Sequence, residues 1–345
     1  MKKVAICGHF GFGKTLLNGQ TVKTKIVTEA LEEKLGSSQI KKIDTHGGKL
    51  QIIKSVLSAM GSMFTCRNLV ILPAHNGVRV FGPVLALMRG ITKCKLHYAV
   101  IGGWLPEMLK GKPSLARALK KFDGIYVETS TLKASMEALG FGNVFQLPNC
   151  KKLHILSPEE LVYSRTEPFR VCTFSRVLAE KGIEDAADAV ININKKYGKS
   201  VCALDIYGPV DPSYEERFAE LCESWPDAIQ YKGCVDFDKS VDVLKDYFLL
   251  LFPTRFFTEG IPGTIIDAYA AGVPVVSAKW ESCMDMVDEQ TGFIYPFGDK
   301  DALQQQLEQL IALPELAEAK KTACTDRAAD YLPCNGMGIL LDNLE

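Results

Sequence analysis

The sequence lacks any long uninterrupted apolar segment. The longest nearly apolar run, residues 80–88, contains a glycine and a proline and is far shorter than the ~20 residues that a membrane-spanning helix needs. Near the start, only four apolar residues separate Lys3 from Gly8, which is too few for the apolar core of a secretion signal. The sequence therefore predicts neither a membrane span nor an exported chain.

Cysteine pairs of the C-x-x-C kind are also absent. The 11 cysteines are scattered from Cys7 to Cys334, and their odd number and spacing argue against a disulfide framework and against a zinc site. A reducing, cytoplasmic location is expected. The composition, 47% hydrophobic and 23% charged, excludes disordered and fibrous classes, and a length of 345 residues favours two domains.

Carboxylates are missing between Asp44 and Glu107, an interval that contains seven Lys and Arg residues. Residues 1–150 carry 21 Lys and Arg against 8 Asp and Glu, whereas residues 151–345 carry 19 against 33. This asymmetry predicts that the first half faces an anionic partner. Nucleic acid is not expected, because no recognised binding motif accompanies the charge.

We expect that partner to be an anionic membrane surface. The chain would then be a peripheral protein on the inner face of the membrane. Trp104 and Leu105, with Lys110 and Lys112 just beyond, are predicted to add a shallow anchor. A solvated basic surface is the alternative.

Short β-rich runs alternate with helical patterns along the whole chain, which is typical of parallel sheets with crossover helices. Two series of strands are predicted. The first comprises residues 4–7, 40–43, 69–72, 96–101, 124–127 and 144–146, and the second comprises 170–174, 202–206, 229–231, 248–252 and 273–277.

This pattern predicts an α/β fold with two doubly wound Rossmann-like domains. The expected boundaries are residues 1–150, a linker at 151–168, and residues 169–330, with a helix at about 331–345 packing back on the first domain. Ligands of such sheets bind beyond the carboxyl ends of the strands, so a site in a cleft between the domains is expected. A helical stripe in the first domain is predicted to be ordinary core rather than a lipid site: Leu50, Ile53, Val56, Leu57, Met60 and Met63.

Residues 8–15 match the phosphate-loop pattern G-x-x-x-x-G-K-[ST]. A phosphate loop needs its helix to begin at the Lys and Thr, yet Asn18-Gly19 interrupts three residues later, and the strand near 68–72 does not end in a metal-binding Asp. A glycine-rich loop that lets the backbone approach another ligand is favoured over a nucleoside triphosphatase.

The densest motif lies at residues 252–274. A strand ends at Pro253, a loop carries Glu259, and a short helix is predicted to start near Pro262-Gly263. Its first backbone amides, on Gly263 and Thr264, would form an anion site, and Asp267 would lie one turn further on. Alternatively, the two carboxylates merely stabilise the helix N-terminus.

Two cations follow the first strand of the second series. Arg176 and Lys181 lie between this strand and the next helix, where a diphosphate would need them. Solvated surface charge is the alternative.

Together these segments resemble family 4 glycosyltransferases of the GT-B fold. Residues 259–274 reproduce the family pattern E-G-x-[PG]-x-x-x-x-E-A-x-A-x-G-x-P apart from Asp267, and residues 176–182 resemble R-x4-K-G. Weaker similarities are Asn18-Gly19-Gln20-Thr21, Pro148-Asn149, Tyr207-Gly208-Pro209, Gly233 and Gly292-Phe293.

The resemblance implies a retaining enzyme without a metal or other cofactor. It would move a sugar from a nucleotide diphospho-sugar, UDP-sugar favoured, to a glycan or lipid-linked acceptor, in surface polysaccharide or glycolipid synthesis. The implied catalytic residues are Glu259, Arg176 and Lys181. The implied donor-binding residues are Gly11, Phe12, Gly13, Gly208, Pro209, Val235, Pro262, Gly263, Thr264 and Asp267. The acceptor-side candidates are Gly103, Trp104, His75 and His9.

Two departures from the family pattern are visible. Asp267 is one methylene shorter than the family's Glu, and Gly102-Gly103-Trp104 stands where many relatives have a His. His97 is instead predicted to be a packed core residue. Asp236-Phe237-Asp238 is predicted to cap a helix rather than to bind a metal.

Two other functions fit the same motifs. One is a sugar-nucleotide epimerase or hydrolase of the GT-B fold, which would use a donor without an acceptor. The other is a non-catalytic, membrane-associated binding subunit, for which Glu259 would be dispensable.

Overall fold

The computed structural model describes residues 2–14, 19–163 and 165–344. Thr15 and Asn18, which belong to the sequence patterns above, lie outside the described residues. The chain forms two compact units. Unit 1 comprises Met1–Lys152 with Tyr331–Glu345, and unit 2 comprises Leu153–Asp330.

Unit 1 contains a six-stranded, fully parallel sheet in the order β2-β1-β3-β4-β5-β6. Its strands are β1 (Lys2–Gly8), β2 (Ile40–Asp44), β3 (Cys66–Ile71), β4 (Lys95–Ala99), β5 (Gly124–Val127) and β6 (Val144–Gln146). Its first helices are α1 (Gly19–Leu35), α2 (Lys49–Thr65), α3 (His75–Met88), α4 (Leu105–Lys110), α5 (Pro113–Leu119) and α6 (Ser130–Ala138).

Helices cover both faces of this sheet. Alternate residues of β1 point to opposite faces, so Ala5 joins the core beneath α2 to α6, whereas Val4 joins the core beneath α1. The last two helices of the chain, α14 (Pro333–Gly336) and α15 (Gly338–Leu344), belong to unit 1. Leu340 packs in the α1 core, and the Asn68 amide donates a 2.8 Å hydrogen bond to the carbonyl of Leu344.

Unit 2 contains a second six-stranded parallel sheet, in the order β12-β11-β10-β7-β8-β9. Its strands are β7 (Phe169–Phe174), β8 (Cys202–Tyr207), β9 (Ile229–Gly233), β10 (Leu249–Phe252), β11 (Val275–Ala278) and β12 (Gly292–Tyr295). Its helices are α7 (Ile183–Tyr197), α8 (Glu215–Ser224), α9 (Ser240–Leu244), α10 (Gly263–Ala270), α11 (Lys300–Ala312), α12 (Glu315–Glu318) and α13 (Lys321–Ala328). Short 3-10 turns occur at Ser37–Gln39, Pro158–Glu160, Ala179–Lys181, Cys283–Asp285 and Ala329–Tyr331.

The prediction of two doubly wound units is confirmed, and each of the eleven predicted strands exists. The sequence prediction missed β12, which has four residues and begins with Gly292. It also started β11 two residues too early. Val273 instead closes the end of α10 by donating to the carbonyl of Ala268, and Pro274 has no N–H to donate.

The predicted core stripe on α2 is partly wrong. Met63 is buried, but Leu50, Ile53 and Leu57 are exposed. Helical spacing alone identified the apolar residues without showing which side of the helix faces the sheet. No helix among the described residues is both long enough and apolar enough to cross a membrane.

Candidate active site

Lys181 and Glu259 form an ion pair at the carboxyl end of the unit 2 sheet. Lys181 ends the 3-10 turn after β7, whereas Glu259 lies in the loop after β10. Each side chain is only 15% exposed, and the Thr254 hydroxyl donates a second hydrogen bond, 2.9 Å long, to Glu259 Oε1. Two of the three residues that the resemblance implies to be catalytic are therefore in direct contact.

Gly182 allows the two loops to approach closely. It has a φ of +70°, and a Cβ at this position would lie 1.9 Å from the carbonyl oxygen of Pro253. Because any other residue would clash with that carbonyl, the glycine of the R-x4-K-G pattern brings Lys181 to the end of β10.

Aromatic rings surround the Lys181 ammonium group. Its nitrogen lies 5.6 Å from the ring centre of Phe252 and 5.1 Å from that of Phe256. Such contacts attract a cation and exclude water. A charge held in this low-dielectric setting interacts more strongly with an anionic ligand than an exposed lysine would.

Arg176 lies earlier in the same loop after β7 and is 56% exposed, with Nη1 3.4 Å from Asp211 Oδ2. The loop after β8 supports this position. A Cβ on Gly208 would lie 1.9 Å from the carbonyl oxygen of Ser175, and the Pro209 carbonyl accepts a 2.9 Å hydrogen bond from Val177 N–H. Gly208 and Pro209 therefore position the Arg176 loop.

The α10 N-terminus begins where the motif predicted it, with extended Pro262 as the capping residue. Gly263 and Thr264 occupy the first turn, where backbone N–H groups have no partner within the helix. The Thr264 hydroxyl is buried, and no described residue hydrogen-bonds it. Amide donors and a hydroxyl at the positive end of a helix suit a phosphate group.

Asp267 is buried and accepts a 3.0 Å hydrogen bond from the Ser240 hydroxyl. Ser240 is the first residue of α9, which follows the loop that contains the half-buried Val235. The predicted cap by Asp236 or Asp238 is wrong, because Lys239 is the capping residue and no side chain caps the helix. Across the described chain, no group of three or more His, Cys, Asp or Glu could hold a metal ion.

The glycine-rich loop of unit 1 is bound to a carboxylate of the protein. Asp44, the last residue of β2, accepts hydrogen bonds from the N–H groups of Phe10 (2.9 Å), Phe12 (3.1 Å) and His46 (2.8 Å). Partial burial acts to raise the pKa of Asp44, but these donors outweigh burial and hold its pKa below the ordinary value. Gly11 and Gly13 supply the positive φ angles of the turn, and Lys14 is exposed.

His9 lies beside this loop. Its Nδ1 is 2.7 Å from the Thr21 hydroxyl, and its Nε2 is 3.0 Å from His46 Nδ1. Burial, followed by the neighbouring His46, lowers the pKa of His9. The imidazole is therefore biased toward its neutral form.

His75 and Trp104 lie together after β3 and β4, with ring centres 5.1 Å apart. The Trp104 indole N–H donates a 2.7 Å hydrogen bond to the Ile101 carbonyl, beside buried Gly103. The predicted shallow anchor at Trp104-Leu105 is wrong, because Leu105 is fully buried and Trp104 is held by its own loop.

His97 is a core residue, as predicted. It is buried on β4, with Nδ1 3.1 Å from the Tyr126 hydroxyl and Nε2 3.3 Å from Asn68 Oδ1. Burial lowers the pKa of His97 to about 4, so it is neutral at physiological pH.

The sequence prediction missed four polar residues that contact the candidate site residues: Thr254, Asp211, Ser240 and Asp44. Asp44 ends a strand, Thr254 and Asp211 lie just beyond strand ends, and Ser240 begins a helix. A search of all strand ends and post-strand loops, rather than of family motifs alone, would have found Asp44, Thr254 and Asp211.

Residues 168–312 match the family model described as "Glycosyl transferases group 1". Several curated relatives match parts of the chain, including the following two. The GDP-mannose-dependent monoacylated alpha-(1-6)-phosphatidylinositol monomannoside mannosyltransferase of Corynebacterium glutamicum is 25% identical over 67% of this chain and 65% of its own. The capsular polysaccharide biosynthesis glycosyltransferase CapM of Staphylococcus aureus is 26% identical over 52% of this chain and 47% of its own. In each match the chain spans less than two thirds of the relative.

Solved structures resemble the chain over its whole length. Sucrose-phosphate synthase from Thermosynechococcus elongatus has a TM-score of 0.79 at 16% identity. The matched region covers 100% of this chain and 99% of the synthase chain. Anabaena Alr3699/HepE, solved in complex with UDP and glucose, has a TM-score of 0.75 at 13% identity with the same coverage. These likenesses show the GT-B fold, and the family model and the named relatives show that parts of the chain are similar to glycosyltransferases.

Proposed function

We propose that the chain is a retaining glycosyltransferase that moves a sugar from a nucleotide diphospho-sugar to a glycan or lipid-linked acceptor. The observation that carries this proposal is the Lys181–Glu259 pair in unit 2. Its lysine suits a diphosphate and its carboxylate suits a sugar that gains positive charge. Lys181 and Glu259 lie on the loops after β7 and β10, which are adjacent strands of one sheet, so one donor can meet both.

The cations of unit 2 would stabilise the leaving diphosphate. Negative charge develops on that group as the glycosidic bond breaks, and preorganised donors lower the barrier for such a step. Lys181 and Arg176 would supply full charges, while the Gly263 and Thr264 amides would supply the positive end of α10. This set would balance the diphosphate without a metal ion, so no metal or other cofactor is part of the proposal.

The two carboxylates of the motif would contact different parts of the donor. Glu259 would face the reacting sugar, and its contacts with Lys181 and Thr254 fix its orientation. Asp267 would hold the ribose hydroxyls from its buried position beside Ser240.

We favour UDP as the nucleotide, because Anabaena HepE was solved with UDP and glucose. The corynebacterial relative is named as GDP-mannose-dependent, so GDP belongs in any test. The proposed acceptor is a precursor of a surface polysaccharide or glycolipid, in keeping with the names of the two relatives. Its binding residues would be Gly103, Trp104, His75 and His9, on an enzyme peripheral to the cytoplasmic face of an anionic membrane.

Incubation with UDP-, GDP- and ADP-sugars, with and without glycan and lipid-linked acceptors, tests the proposal. We expect donor consumption that requires an acceptor and that Glu259→Gln slows by about 10²-fold or more. Turnover of the donor without an acceptor would identify an epimerase or hydrolase instead. Donor binding without any turnover would identify a binding subunit, and consumption of ATP or GTP with magnesium would identify a phosphate-loop enzyme.

A further inference from the structure

Helix α2 of unit 1 presents apolar side chains to solvent. Leu50, Ile53, Leu57 and Phe64 are 76%, 56%, 61% and 60% exposed. Their spacing of three, four and seven residues places them on one side of the helix. Exposed side chains of this size cost solubility, and contiguous apolar patches mark interaction sites.

The opposite side of α2 contains buried serines. The Ser55 hydroxyl donates a 2.7 Å hydrogen bond to the Asp44 carbonyl, and the Ser62 hydroxyl donates a 2.6 Å hydrogen bond to the Ser58 carbonyl. An ordinary surface helix buries its leucines and exposes its polar residues. Because α2 partly reverses this pattern, packing within unit 1 does not explain its exposed leucines.

Helix α3 extends the apolar surface. It contacts α2 and packs on the same side of the sheet, and Val80 and Leu87 on α3 are 44% and 71% exposed. Ile91, just beyond the helix, is 73% exposed. We refer to the following residues as the α2–α3 face: Leu50, Ile53, Leu57, Phe64, Val80, Leu87 and Ile91.

The chain segment that forms the α2–α3 face carries charged residues of one sign. No carboxylate occurs between Asp44 and Glu107. Exposed cations in this interval are Lys49, Lys54, Arg67, Arg79 and Lys93. Arg79 also lines a cavity of about 330 Å³ together with Lys112.

An anionic lipid surface complements this combination. Apolar side chains can enter the boundary between head groups and acyl chains, while nearby lysines and arginines meet lipid phosphates. A second copy of the chain is a poorer occupant, because pairing two identical faces would bring cations against cations.

We infer that the α2–α3 face docks on an anionic membrane, with Leu50, Ile53, Leu57 and Phe64 entering the head-group region. This inference deepens the membrane part of the proposed function and rests on it for the lipid-linked acceptor, but not for the donor chemistry. It moves the predicted contact from Trp104-Leu105 to α2 and α3.

Sedimentation of the full chain with vesicles tests this inference, without any nucleotide sugar present. The vesicles contain phosphatidylcholine alone or with about 30% phosphatidylglycerol, a mixture with negative surface potential. One variant combines Leu50→Ser, Leu57→Ser and Phe64→Ser, and a second combines Lys49→Glu with Lys54→Glu. The matched control combines Tyr197→Ser with Lys195→Glu on α7 of unit 2, where both residues are exposed.

We expect the wild-type chain to bind only the acidic vesicles, and each α2 variant to bind at least about tenfold more weakly. The unit 2 control should bind like the wild type. Thermal unfolding followed by circular dichroism checks that the variants fold, and the two variants alter different residues, so each tests the face independently.

Three outcomes would overturn the inference. The wild type fails to bind acidic vesicles, both α2 variants bind as well as the wild type, or ultracentrifugation without lipid shows a dimer that the serine variant cannot form. Vesicle binding without sugar transfer would contradict only the proposed enzymatic activity, whereas sugar transfer without vesicle binding would contradict only the docking face.

Discussion

The ammonium group of Lys181 contacts the carboxylate of Glu259 across 78 residues of sequence, and the Thr254 hydroxyl binds the same carboxylate oxygen. The pair therefore brings a cation and a carboxylate of the candidate site into direct contact. A bound diphosphate would compete with Glu259 for Lys181, which would couple donor binding to the orientation of the carboxylate.

Glu259→Gln should reduce turnover far more than donor affinity. A carboxylate beside the reacting sugar helps most where positive charge develops on the ring, and the amide keeps the shape but loses the charge. We expect kcat to fall by about 10²-fold or more, with the KM for the donor changing by less than about threefold. Steady-state kinetics measures both.

Glu180→Gln is the matched control for this change, because Glu180 is an exposed neighbour of Lys181. Its kinetics should equal those of the wild type. A Glu259→Gln enzyme with unchanged kcat would exclude a catalytic role for this carboxylate.

Lys181→Ala and Arg176→Ala should each weaken the binding of UDP. A charge-assisted contact with a phosphate is worth about 1.5–3 kcal/mol, which corresponds to a roughly 10- to 150-fold higher Kd. Lys14→Ala should change Kd far less, because Lys14 belongs to the loop that Asp44 holds. Calorimetry with UDP measures the Kd of each variant. A larger loss of UDP affinity for Lys14→Ala than for the other two would favour the phosphate-loop interpretation.

Asp267→Asn should raise the donor KM with little change in kcat, the opposite of Glu259→Gln. The asparagine can still accept from Ser240 but binds ribose hydroxyls without a charge, so we expect KM to rise about fivefold to tenfold. Asp246→Asn, at an exposed position, is the control. Equally small effects at Asp267 and Glu259 would identify the segment as a structural helix only.

The stability of the chain should fall as the pH drops from neutral toward 4, because of His97. Burial lowers the pKa of His97 from 6.5 to about 4, so between these values the unfolded chain binds more protons than the folded one. The loss from this residue is about 3 kcal/mol at about 1.4 kcal/mol per pH unit. Urea unfolding at pH 7 and pH 4.5 measures it.

Two variants isolate the contribution of His97. Glutamine at position 97 cannot take up this proton. The free energy of unfolding of the His97→Gln variant should therefore depend less on pH than that of the wild type, even if the two differ at pH 7. His154→Gln, at an exposed position, should keep the wild-type dependence. An unchanged slope in His97→Gln would mean that other groups cause the acid sensitivity.

Much of the fold could be predicted from the sequence because strands and helices carry periodic signals. The start of α10 at Gly263 followed from the Pro-Gly signal, and the position of Lys181 followed from its place after β7. The contact partners could not be predicted in this way. Which of several post-strand side chains pairs with Lys181 depends on the order of strands in the sheet.

Sequence periodicity could not predict which side of α2 faces the sheet, for a different physical reason. Leu57 and Met63 both fit a helical apolar stripe, yet only Met63 is buried. The serines on the inner side satisfy their hydroxyls with carbonyls of unit 1 and the helix itself, and no composition rule reveals such hydrogen bonds. A helix that also contacts a second apolar medium can carry apolar side chains on two sides.

The Asp44 carboxylate has a consequence for how short motifs are interpreted. A G-x-x-x-x-G-K-[ST] string specifies the curvature of a loop and the direction of its amides, but it does not specify which anion they bind. In this chain the anion is covalently attached, and an attached ligand has a high effective concentration that a dissolved phosphate must overcome. An acidic residue at the end of the strand beside such a loop is therefore the feature to check before assigning nucleotide hydrolysis.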